Sequence, residues 1–188
     1  MLLLRLALAS LLTAGTMGSF VAADSLAVFT DSEVNAANVF GSGTIQIGGA
    51  PASAAVTLAN MAPGDLVIAP LVITNNGSLP LRYAMSTSTT NTDSKALAGQ
   101  LELTIRVKTV SACSVEDGAI IFATAALSTG AIGSNAQGAQ AGDRTLAAAA
   151  SETLCFKVQL PLATGNAFQD ATTTATFTFD AEQTANNP

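Results

Sequence analysis

The chain has no histidine and no tryptophan, a single tyrosine and two cysteines, and only seven lysines and arginines among its 188 residues. Without histidine there is no HExxH zinc helix and no Ser-His-Asp or Cys-His catalytic arrangement. No G-x-x-x-x-G-K-[ST] phosphate loop occurs. FGSGT carries Gly41 and Gly43, but no strand-loop-helix context surrounds it, and the glycines read as freedom to turn into the next strand. The few basic residues are not clustered, as nucleic-acid phosphates or anionic lipid would require. Sugar recognition leans on exposed aromatic faces. The one tyrosine, Tyr83, falls on an apolar strand face.

What is present begins at the N-terminus. Arg5 opens an uncharged run from Leu6 to Ala23 that ends in small residues and is interrupted by Gly15 and Gly18. A short basic start, an apolar centre and small residues at the end describe a signal peptide over residues 1–27, expected as a helix. An uncleaved anchor is the alternative, since about 20 apolar residues can cross a membrane. Two positions obey the small-x-small rule: after Ala23 (Val21, Ala23) and after Ala27 (Ser25, Ala27). Cleavage after Ala27 leaves 188 − 27 = 161 residues, 28–188, a length that suits one domain with a full core. That part keeps six basic residues against twelve acidic ones, a net charge of 6 − 12 = −6, as expected of a soluble acidic exterior. No stable membrane association and no cofactor are expected after cleavage.

Cys113 and Cys155 are the number for one bridge in an exported protein, closing a separation of 155 − 113 = 42 residues. Free thiols or a metal site are the alternatives, and two cysteines without histidine make a poor zinc site.

The hydrophobic period is two. Leu101, Leu103, Ile105 and Val107 share one face, with Glu102, Arg106 and Lys108 on the other. Leu154, Phe156 and Val158 alternate with Cys155, Lys157 and Gln159. Ala175, Phe177 and Phe179 alternate with Thr174, Thr176 and Thr178. LPLRYAMST groups Leu79, Leu81, Tyr83 and Met85, and LVIAPLVIT is apolar on both faces. With TIQIG, AVTLAN and GAIIFAT this makes about eight strands, punctuated by Pro63-Gly64-Asp65 and Asn75-Asn76-Gly77. The expected fold is all-β, an antiparallel β-sandwich. Its core should be built from Ile45, Ile47, Val56, Leu58, Val67, Ile73, Leu81, Tyr83, Leu103, Ile105, Ile121, Phe156, Val158, Phe177 and Phe179. Leu146–Glu152 (LAAAASE) reads as two helical turns, DSEVNAANVF as one turn, and Ser128–Asp143 as a long mobile surface loop. Asp31 and Glu33 are an acidic pair that could hold Ca²⁺ if carbonyls completed the shell, or a solvated polar turn or helix N-cap. Asn76-Gly77-Ser78 matches the glycosylation sequon and also reads as a turn.

Three segments together resemble the TasA/camelysin family of exported proteins, whose signal peptides are handled by a dedicated SipW-type signal peptidase. They are AVFTDSEVNAANVFGSGTIQI, NMAPGDLV with LVITNNGSLPLRYAM, and LCFKVQLP followed by FQDATTTATFTFDAEQ. The resemblance implies cleavage before Val28, a jelly-roll sandwich, and assembly of copies into an extracellular surface or biofilm-matrix fibre. It implies that a terminal segment completes the sheet of the next subunit. Here the donor would be about Val28 to Phe40, with Phe29, Val34, Val39 and Phe40 supplying the side chains. That stretch does not alternate cleanly, and folding back on its own domain is the alternative. Some members are described as metallopeptidases, but this chain has no histidine to carry that activity over, and Cys113 and Cys155 lie outside the matching motifs.

Overall fold

A computed structural model describes residues 41–52, 60–109, 113 and 118–187. Val28, Phe29, Val34, Val39 and Phe40, the acidic pair Asp31 and Glu33, the leader helix, the turn in DSEVNAANVF, and Val56 and Leu58 of AVTLAN lie outside the described residues. The described part is an antiparallel two-sheet sandwich, and nine strands are described where about eight were expected. One sheet runs β1 (Ile47–Ala50), β2 (Leu66–Asn75), β8 (Ser151–Gln159), β4 (Glu102–Val107) and β5 (Ile120–Ala126) in spatial order. The other is centred on β3 (Leu81–Thr89). On one side β3 pairs with the two short strands β6 (Ala131–Ile132) and β7 (Arg144–Leu146), and on the other with β9 (Ala175–Gln183).

Alternation decides which side chains meet. Leu103, Ile105, Leu154 and Phe156 are fully buried on one sheet, and Leu81, Tyr83 and Met85 at most 2 % exposed on the other. Phe156 and Phe177 pack with ring centroids 4.8 Å apart across the layer. The register of β3 against β9 is regular from Leu81↔Gln183 to Thr89↔Ala175. The register of β2 against β8 is likewise unbroken through Pro70↔Cys155, so the proline introduces no shift. Cys113 and Cys155 are joined, with Cα atoms 5.4 Å apart. The bridge ties the segment after β4 to the outward side of β8.

The described turns use the residues their geometry requires. Pro63 and Gly64 occupy the two centres of a turn in which Asp65 N–H donates to Ala62 O at 2.9 Å, and Gly64 has φ 98. Proline at the first centre and a positive φ at the second is the type II pattern. Asp65 Oδ2 then accepts the Ala62 N–H at 2.8 Å. After β2, Asn75 is wholly buried. Its amide donates to Leu79 O at 2.8 Å and to Ala147 O at 3.0 Å, and its oxygen accepts Gly77 N–H at 2.9 Å. A buried amide with so many partners fixes both the turn and the loop before β8.

Three expectations are corrected. Leu146–Glu152 is not helical: Leu146 ends β7, Ala147–Ala150 form a turn with Ala149 at φ 58, and Ser151 and Glu152 begin β8. Alanine's helix propensity is overridden by strand pairing with β2, where Glu152 lies opposite Ile73. Ile45 is 41 % exposed rather than core. Its neighbours Thr44 and Gln46 pair with the 76–79 turn, Gln46 O accepting Asn76 N–H at 2.7 Å, beyond the end of the layers. The Ser128–Asp143 stretch holds part of a 3₁₀ turn (Leu127–Thr129) and β6. It is tied down by Asp143, whose two oxygens accept Ser134 N–H at 2.9 Å and Gln140 N–H at 2.8 Å.

Candidate functional site

Two polar clusters stand out among the described residues. The first lies between the sheets. Tyr83 on β3 points inward with Leu81 and Met85, and it is 1 % exposed. Its hydroxyl donates to Glu152 Oε1 at 2.7 Å, and Arg144 Nε donates to the same oxygen at 2.9 Å. Arg144 Nη2 reaches Glu152 Oε2, which makes the pair bidentate. Strand pairing explains the placement: Tyr83 lies opposite Arg144 on β7, and Glu152 comes from β8 of the facing sheet. Burial, and then the bond to the Glu152 carboxylate, push the Tyr83 phenol well above its usual range. The hydrogen bond to Glu152 likewise raises Arg144. The phenol, the guanidinium and the carboxylate together bridge the two sheets.

The second cluster is on the outward face of β3 and β9, under the 134–137 segment. A cavity of about 180 Å³ there is lined by Arg82, Ala84, Gln137, Asp143, Asp180 and Glu182. Arg82 is 6 % exposed, with Nε 2.7 Å from Glu182 Oε1. The contact is an ion pair rather than an aligned hydrogen bond, since neither Nε nor Nη2 of Arg82 has a hydrogen-bond partner. Glu182 Oε1 also accepts Gly138 N–H at 3.0 Å, which fastens the overlying segment to β9. Gly133, at φ 62, allows close approach: a Cβ there would fall 2.3 Å from Asp143 Oδ1. The space is smaller than the roughly 300–1,000 Å³ of ligand pockets. Three carboxylates against one guanidinium leave it negative. Its carboxylates Asp143 and Glu182 hold the covering segment by accepting its backbone N–H groups.

Of the residues singled out from sequence, Cys113 and Cys155 are brought together. Tyr83 is interior, where no sugar ring can stack on it. Asn76 is exposed on its turn, with Ser78 Oγ accepting Thr44 N–H at 2.9 Å. Arg82, Arg144 and Glu152 were not foreseen as partners. For Glu152 a signal existed: the period of two in TLCFKVQL, carried back one step, sets it on the face of Leu154.

The fold and its two clusters define an antiparallel β-sandwich scaffold in which Tyr83, Arg144 and Glu152 are engaged with one another between the sheets. The chain belongs to the family described as camelysin metallo-endopeptidase, which it matches over residues 4–187. No curated protein matches it. The family's description implies a metal. The described residues do not fit one: no three His, Cys, Asp or Glu side chains, the cavity's Asp143, Asp180 and Glu182 included, are grouped to hold an ion. The chain has no histidine, and both cysteines are in the bridge.

Proposed function

We infer that this is a structural subunit of an extracellular surface or biofilm-matrix fibre. Residues 1–27 direct export and are removed by a signal peptidase, and 28–188 are the mature sandwich. The segment from Val28 to Phe40 is donated to a neighbouring copy, whose sheet it extends by backbone pairing. The partner is therefore another copy of the chain. The observation that carries the reading is the Tyr83–Glu152–Arg144 cluster. Among the described residues, this constellation of ionisable groups is spent on cohesion between sheets. Membership in a family of which fibre-forming exported proteins are part supports it further. Electron microscopy of protein beginning at Val28 tests it: filaments are expected, and monomers at every salt, pH and concentration would defeat it.

The family's description favours a second reading, a secreted endopeptidase. Its test is proteolysis by the pure mature protein that a chelator abolishes. A carbohydrate- or wall-binding module is the third reading, and the burial of Tyr83 weighs against it.

A further inference from the structure

We propose that β9 is a self-complementary edge through which two copies join, antiparallel, about an axis at Thr178. The proposal goes beyond the fibre reading and does not require the N-terminal segment.

The other described edges are blunted in the ways sheets avoid pairing. β1 has four residues, two of them Gly48 and Gly49, and is followed by Pro51. β5 pairs with β4 through register shifts at Leu103/Ile105 and Ile105/Arg106. β6 and β7 have two and three residues. β9 has nine, without proline, glycine, lysine or a break in register, and among the described residues it pairs only with β3. Its sheet is three strands wide against five in the other. Phe177 and Phe179, on its inward face, are only partly buried, although Met85, the β3 partner of Phe179, is 2 % exposed; Phe177 lies opposite Thr87.

The sequence of this edge names its occupant. The inward residues read Ala175, Phe177, Phe179, Ala181, a palindrome about Thr178. In an antiparallel pair of β9 strands centred there, Phe177 of one copy meets Phe179 of the other, and Ala175 meets Ala181. Both aromatic pairs are cross-strand neighbours, an arrangement that stabilises sheets. On the outward face Asp180 meets Thr176, and Glu182 meets Thr174. No carboxylate faces a carboxylate in this register. Centring on Asp180 would place two on the axis. A second copy thus satisfies the open backbone, the half-covered phenylalanines and the charges at once.

Cysteine cross-linking of the mature chain, with Cys113–Cys155 intact and oxidised glutathione as oxidant, tests the register. Thr178→Cys should give a disulfide-linked dimer, and Ser88→Cys, exposed on neighbouring β3, should not. A mixture of Thr176→Cys and Asp180→Cys should cross-link although neither does so alone. Independently, Thr178→Asp should weaken self-association several-fold by sedimentation and leave the melting midpoint of the monomer unchanged. Cross-linking of Thr178→Cys no faster than Ser88→Cys overturns the proposal. So does concentration-independent protection from hydrogen exchange of those β9 amides that do not bond to β3, which would mean that another segment of the same chain fills the edge. Filaments without the 178 cross-link would defeat this pairing alone; the cross-link without filaments would defeat the fibre reading alone.

Discussion

The Tyr83 hydroxyl donates across the sandwich to Glu152 Oε1 at 2.7 Å, from the centre of one sheet to the start of β8 in the other. It joins the sheets by a directed bond where the surrounding contacts are apolar. A hydrogen bond to a charged acceptor contributes about 1.5–3 kcal/mol, so Tyr83→Phe should lower stability by about that amount, with Glu152 still held by Arg144. Equilibrium urea unfolding of the two proteins checks it.

Tyr83 is also the only tyrosine, so its ionisation can be read without interference in near-ultraviolet absorbance. Burial and Glu152 hold its pKa above the unfolded value, which is about 10. The stabilisation is fully present below that pH and is lost as pH rises through the raised folded value, because only the unfolded chain ionises readily. Tyrosinate should therefore appear together with loss of β-sheet circular dichroism, in one transition. Ionisation of the folded protein near pH ~10 would show that the phenol is open to solvent.

Arg144 is the second partner of Glu152, whose side chain is 12 % exposed. Removing one member of a buried pair leaves an uncompensated charge and costs about 3–5 kcal/mol. Arg144 is itself 26 % exposed, so Arg144→Met should fall at the lower end, about 3 kcal/mol. In a Tyr83→Phe background, where no buried hydroxyl is left without its acceptor, the double change Arg144→Met with Glu152→Leu should recover part of that loss, since an apolar pair of similar volume needs no compensation. Thermal melts of the single and double variants in that background decide it; a double variant less stable than Arg144→Met would contradict the argument.

Asp93 follows the opposite pH rule. Its carboxylate accepts Lys95 N–H at 3.0 Å and Thr172 N–H at 2.6 Å, clasping the segment after β3 to the one before β9. These bonds, Lys95 first, hold its pKa below the usual carboxylate value. The stabilisation is present above the unfolded pKa of about 3.9 and disappears as pH falls through the lower folded value. Asp93→Asn should melt below the parent at neutral pH, and the two should converge in acid. A gap that persisted there would assign the effect to packing.

The strand faces were legible because a period of two is written in Leu101–Val107, Leu154–Val158 and Ala175–Phe179, and burial follows it except at Thr104 and Cys155, which are buried on the other face. What escaped was decided by partners remote in sequence. Glu152 sits in an alanine-rich stretch whose local preference is helical, and only its pairing with β2 and its contact with Tyr83, 69 positions away, make it a strand residue. Asn75 was legible as a turn residue, but its bond to Ala147 O was not. Arg82 falls between apolar Leu81 and Tyr83 as an outward strand position should. Its burial comes from the 134–137 segment folding over it, which alternation along β3 cannot encode.

The cross-link between Cys113 and Cys155 closes a separation of 42 residues. On chain-entropy grounds a loop of that length stabilises by about 4 kcal/mol. Reduction should lower the melting midpoint markedly, and Cys113→Ser with Cys155→Ser should reproduce the reduced parent. Equal midpoints before and after complete reduction would mean that the bridge contributes nothing to the fold.

The two rings that meet across the layer should differ in cost. Phe156 is fully buried on the second strand from β5, whereas Phe177, 4.8 Å away, lies on the edge strand and is only partly covered. Phe156→Ala leaves a closed cavity and should cost about 3–5 kcal/mol. Phe177→Ala removes a ring that already meets solvent, so its cost in the monomer should be smaller, about 2 kcal/mol on area grounds. Denaturant melts at low and high protein concentration separate the effects. If β9 pairs with itself, the loss at Phe177 should grow with concentration, because only the associated parent buries that ring completely. The Phe156 value should stay constant.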